Sequence, residues 1–302
     1  EIPHLAWGGE LMADSKGKNK VYVIRAIGVY VGNLLFFVVP LLPIFSSTEF
    51  SPQSLRWSVI FAGLVMIPSL YACIRFTPNS FTGNSSKRNI IKLKSSNEKR
   101  SFKLLPLLMR NKPLMMFLTA FVFAGVGIGM WFGIMFIYID SYLGLGHLFA
   151  ELYLTSLIIS TLSLLAWNQC SNYLEKNKVW KLGLSVMILG IFGAGFLTPG
   201  SSNWFSLLVV MIFFNSGYAC MAIVAPSILA DINDYSNWKF GGNYGATYFS
   251  LYTLAIKPNA AIGGAVGLGI AGWYKFDASL SNHGTDAIFG LNKSGKSLVE
   301  SV

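Results

Sequence analysis

Seven predominantly apolar runs, separated by polar stretches, leave this chain few folds. They cover residues 21–45, 55–77, 114–140, 148–168, 182–199, 203–229 and 245–274. At about 1.5 Å of rise per residue, each is long enough for a hydrocarbon core of about 30 Å. Barrel strands would need only about 9–11 residues. Inside lipid every backbone N–H and C=O must be satisfied within the structure, so runs of this length are helices. Composition agrees: 53% of residues are apolar and 12% charged, against about 25% charged in soluble domains. The expected fold class is an all-α polytopic membrane protein with seven full spans plus part of one, the tail at residues 1–12.

The net charge of +10 looks like a nucleic-acid signature until its placement is read. Ten of the 23 Lys and Arg fall between Arg75 and Lys112, in one segment between spans. Loops at 13–20, 78–113 and 169–181 hold most loop cations, and those at 46–54, 141–147 and 200–203 hold none. This bias puts the first set, with the central basic loop, on the cytoplasmic side. The expected partners are the lipid bilayer and a small solute, with no nucleic acid. The basic loop reads as a solvated linker with a short amphipathic piece at Phe102–Met109. Cys73, Cys170 and Cys220 have no CxxC spacing, and His4, His147 and His283 have no metal spacing. There is no P-loop, no nucleophile constellation and no secretory signal peptide, so we expect neither an enzyme nor a cofactor.

The stretch Asp231–Lys257 carries the chemistry. It reads as a polar turn with two acids, Asp231 and Asp234, followed by an apolar helix with a lysine at mid-depth. A charge there costs about 2.5–3.5 kcal/mol on insertion scales, and Lys257 is too deep to reach either surface. Thr253 lies one turn earlier on the same face, and Pro258 removes a backbone donor next to it. A buried ammonium needs a carboxylate, carbonyls or water. Only Glu1 and Glu10 lie near other spans, so the expected partner is the substrate, an ion or polypeptide outside this chain. Arg25, about one turn into the first span, either snorkels or serves the same polar network. Asn215 and Asn259 read as interhelical hydrogen-bond partners. Intramembrane charge beside a helix discontinuity, in two bundles joined by a basic loop, fits a secondary transporter. A seven-helix retinal protein is the remote alternative, since the final span carries a lysine.

The residues DINDYSNWKFGG and FSLYTLAIK resemble a cytoplasmic motif and following helix of the glycoside–pentoside–hexuronide:cation symporters, within the major facilitator superfamily. Asp231, Asp234, Tyr235, Gly241, Thr253 and Lys257 fall on its pattern. EIPHLAWGGELMAD is similar to that family's fourth helix and exit loop, through Glu1, Pro3, Glu10 and Asp14, with Arg25 opening the fifth. The resemblance implies cation-coupled (Na⁺ or H⁺) sugar symport in a multi-pass membrane protein, most simply of a bacterial inner membrane. Lys257, Thr253, Glu1 and Arg25 would serve substrate and cation, and Asp231, Asp234, Tyr235 and Asp14 a cytoplasmic gate. It also implies an internal piece: residues 1–77 ending an N-terminal bundle, 78–113 the central loop, 114–274 a C-terminal bundle of helices seven to eleven, and 275–302 a polar external segment. Helices one to three and twelve would be missing. Three departures stand out. Phe240–Asn243 replaces Thr-Gly-x-Arg, a Gly-Lys-Asn-Lys run replaces a Glu-Arg pair after Asp14, and Ala222 replaces a sugar-stacking aromatic. A non-sugar solute, or a non-functional partial gene product, is the alternative reading.

Overall fold

A computed structural model describes residues 5–6, 8–9, 11–12, 14–39, 42, 52–76, 110–199, 203–240 and 244–273. Glu1, Glu10, the Phe102–Met109 piece and the 275–302 segment lie outside them. Seven long helices run through the described residues: α1 Ser15–Val38, α2 Pro52–Phe76, α3 Lys112–Ile137, α4 Phe149–Tyr173, α5 Lys176–Ala194, α6 Trp204–Phe240 and α7 Gly245–Trp273. A π turn, Tyr138–Tyr142, extends α3. Six of the seven are long and apolar enough to cross a membrane. The other, α5, has 19 residues and carries Lys176, Lys178 and Lys181 in its first two turns. The protein is thus a multi-pass, all-α membrane protein.

Four boundaries at the basic end differ from the hydropathy reading, each because polar residues continue a helix beyond its apolar run; α4, for one, runs on to Tyr173. α1 starts at Ser15, where the Asp14 carboxylate caps it by accepting from Gly17 N–H at 2.8 Å. Arg25 therefore lies ten residues into the helix, about 15 Å along it, rather than one turn. α5 begins at Lys176, so only Leu174 and Glu175 connect it to α4. α6 runs on to Phe240, which places Asp231 and Asp234 on a helix and not in a turn.

The bundle is assembled from a few intimate seams. α3 packs along α7 and α5 along α6, while α4 lies against α6 and α1 crosses both α4 and α6. α2 shares no extensive contact with another described helix, and its apolar side chains are exposed nearly all round. Glycines set the closest approaches, as expected where lipid offers helices no hydrophobic reason to associate. A Cβ at Gly133 would stand 2.6 Å from the Gly264 Cα, and one at Gly263 would stand 2.7 Å from the Gly129 Cα. In the α5–α6 seam a Cβ at Gly217 would meet the Met187 backbone nitrogen at 2.7 Å. Polar pairs pin the register. Asn215 donates to Ser156 Oγ at 3.0 Å, and Trp167 Nε1 donates to the Ser216 carbonyl at 2.9 Å.

Gly263→Leu should therefore lower the thermal unfolding midpoint in detergent, corresponding to about 1–3 kcal/mol of overpacking. Gly269→Ala, with open space around it, should leave the midpoint unchanged. Equal effects of the two substitutions would contradict the seam.

Candidate functional site

At one end of the bundle α1, α3 and α5 begin and α6 ends, and there the charges meet. The Lys18 ammonium, only 2% exposed, is paired with the Asp234 carboxylate across α1 and α6. One turn earlier on α6, Asp231 accepts from Lys176 Nζ of α5 at 2.7 Å and from Ser15 Oγ of α1 at 2.9 Å. Burial pushes the Lys176 ammonium below the usual lysine value, while its hydrogen bond to Asp231 opposes the shift. Asn19 of α1 donates to Asn168 of α4 at 3.1 Å beside the ion pairs. Three helices are thus tied by two charge pairs.

Of the residues expected in a gate, Asp231 and Asp234 are in this cluster. Tyr235 and Asp14 flank it without joining an ion pair there. The Tyr235 hydroxyl accepts from Lys239 on its own helix at 2.8 Å, and Asp14 caps its own helix. Beneath the cluster Tyr22 of α1 meets Phe249 of α7, with ring centroids 6.4 Å apart. Tyr248 accepts from Asn111 Nδ2 at 3.0 Å and lies 2.7 Å from Ser236 Oγ, fixing α7 against α3 and α6.

Further along α7 the helix continues through Pro258. Lys257 is exposed on the surface of the described bundle and has no ion pair among the described residues. The Thr253 hydroxyl is buried without a hydrogen-bond partner. Asn259 is buried, and its amide nitrogen, packed toward Gly125, has no hydrogen-bond partner among the described residues. Arg25 is half-buried on α1, one turn beyond Tyr22.

The sequence reading missed Lys18 and Lys176. A signal for the first was present: Lys18, Tyr22, Ala26 and Tyr30 recur every fourth residue, and all four are buried. Carrying the apolar stripe of α1 back through the polar run would have placed Lys18 on the packed face. Lys176 had no such signal, because nothing local in Glu175–Lys178 marks the partner on α6.

Long apolar helices with a cross-helix ion-pair cluster at one end define a polytopic helical membrane protein. The chain matches the family described as MFS/sugar transport protein over residues 1–293, and it belongs to that family. Two curated relatives are similar over most of it. A lactose permease of Lactobacillus delbrueckii subsp. bulgaricus is 24% identical over 255 residues, covering 83% of this chain and 39% of that protein. An uncharacterized symporter of Bacillus subtilis, YjmB, is 24% identical over 283 residues, covering 90% of this chain and 57% of its own length. The chain therefore spans less than two thirds of either relative.

The Lys18–Asp234 pair can be checked by a double-mutant cycle of thermal unfolding with Lys18→Met and Asp234→Asn. A favourable coupling of about 0.5–3 kcal/mol is expected for residues in direct contact. Strictly additive effects would show that the two charges do not act together.

Proposed function

We propose that the full-length protein is a secondary transporter that moves a sugar together with a cation, Na⁺ or H⁺, by alternating access. The observation that carries this reading is Lys257, a charge on a membrane helix without an ion-pair partner among the described residues, one turn from a buried Thr253 hydroxyl without a hydrogen-bond partner among them. Groups held unpaired in a low-dielectric setting are costly unless a ligand or another segment completes them. Family membership and relatives named as a permease and a symporter support a sugar or related solute.

In this mechanism Lys257 and Thr253 form part of the substrate and cation site. Arg25 and Glu1 contribute from the other bundle. A bound cation offsets acidic charge in the cavity and raises solute affinity, and the solute raises cation affinity by the same factor. The Asp234–Lys18 and Asp231–Lys176 pairs, flanked by Asp14 and Tyr235, hold the basic end closed, and rocking of the two bundles breaks them. That end faces the cytoplasm, following the loop cations.

A non-sugar solute is the second reading. Ala222, where the resembling symporters stack a sugar on an aromatic, is half-buried on α6 and offers no ring.

The test is uptake by the full-length protein in proteoliposomes under an imposed Na⁺ or H⁺ gradient, with lactose and monosaccharides assayed first. Gradient-driven accumulation should occur, and Lys257→Ala should reduce it at least tenfold while leaving the thermal midpoint in place. Uptake that is unchanged in Lys257→Ala would reduce the lysine to a structural charge. Uptake indifferent to both gradients would remove the symport reading.

A further inference from the structure

A cavity of about 990 Å³ opens beside the ion-pair cluster, between the first halves of α3 and α5. Its wall is apolar, made by Met116, Phe117 and Ala120 of α3, Trp180 and Leu184 of α5, and Ile228 of α6. The Phe117 and Trp180 rings lie 5.4 Å apart. Met116 is 74% exposed and Ala120 is exposed too, so the cavity is open at the surface of the described residues, between α3 and α5.

The rim is charged and its charges do not balance. Lys16, Lys176 and Lys181 stand there with Asp231 and Glu175. Both carboxylates already have lysine partners, Asp231 in Lys176 at 2.7 Å and Glu175 in Lys178 at 3.6 Å. Lys16 and Lys181 have no ion pair among the described residues. The rim also contains the start of α5, which no side chain caps, so the first N–H groups and the positive helix end add to the field. The indole N–H of Trp180 is buried without an acceptor.

We propose that this groove is a binding site for an anionic phospholipid, with the phosphate between Lys16 and Lys181 and an acyl chain along Phe117, Trp180 and Leu184. The cavity volume falls within the usual range of ligand pockets, about 300–1,000 Å³. Basic pockets between membrane helices are known to suit acidic head groups. A soluble anion would leave the apolar wall empty, and a zwitterionic lipid would leave two ammonium groups unanswered. The proposal is independent of which solute is transported.

The experiment uses full-length protein in nanodiscs of phosphatidylcholine, with and without phosphatidylglycerol, and native mass spectrometry of the lipid retained after extraction into detergent. Phosphatidylglycerol should be retained in preference to phosphatidylcholine. Lys16→Ala with Lys181→Ala should weaken retention roughly thirtyfold, at about 1 kcal/mol per basic residue. Ala120→Trp fills the apolar part without touching a charge and should also release the lipid. Should that variant fail to fold, Met116→Asp at an exposed position replaces it. Lys20→Ala, exposed on α1 and outside the lining, should retain the lipid. Equal retention of the two lipids would overturn the proposal, as would unchanged retention in the groove-filling variant or release by inorganic phosphate alone. A disulfide from Ala120→Cys to another segment of the polypeptide would overturn it as well, because the groove would then hold a protein helix.

Discussion

Close backbone contact at glycine is the interaction on which the rest of this bundle depends. Lipid tails are as apolar as the helices they surround, so burial of Leu and Phe against a neighbour gives little net drive for association. Attraction comes instead from dispersion between surfaces that approach closely, and that requires missing Cβ atoms. The α3–α7 seam meets it with Gly129, Gly133, Gly263 and Gly264, and the α5–α6 seam with Gly183, Gly190 and Gly217. Two rigid pairs result, and α4 and α1 complete the bundle by packing on α6. α6 is central for this reason. It is the helix that α1, α3, α4, α5 and α7 all touch, and it carries both acids of the ion-pair cluster.

The distribution of charge follows from where those helices leave water. At the basic end Lys18 is almost wholly enclosed, yet its partner Asp234 remains 53% exposed, so the pair is anchored on one side and solvated on the other. Such a pair resists separation less than a fully buried one would, since water can take over one member as it opens. Lys257 is the opposite case, exposed on the bundle surface with no partner within the described residues. The contrast separates charges that bind helix to helix from one that pairs with no described helix.

Much of the fold was legible, and the misreadings share one cause. Hydropathy located every long helix but truncated α1, α5 and α6 at their basic ends, where Lys18, Lys176 and Asp231–Asp234 continue the helix in polar residues. Those residues are helical because neighbours satisfy them, and a sliding apolar window cannot count a satisfied charge. The Gly-Lys-Asn-Lys run that departs from the Glu-Arg pair after Asp14 supplies Lys18, which lies on the packed stripe of α1 with Tyr22, Ala26 and Tyr30.

The sequence by itself determined that the chain crosses a membrane repeatedly, which end is basic, and that Asp231, Asp234, Thr253 and Lys257 form a pattern. These follow from run length, charge bias and spacing, which are local quantities. Only the tertiary structure decided who pairs with whom. Lys18 and Asp234 are 216 residues apart, and their contact depends on the rotation of α1 and of α6 about their own axes and on the depth at which they cross. For the same reason it brings no described acid to Lys257. Rotation and depth are set jointly by the glycine seams of several helices, so no single segment encodes them.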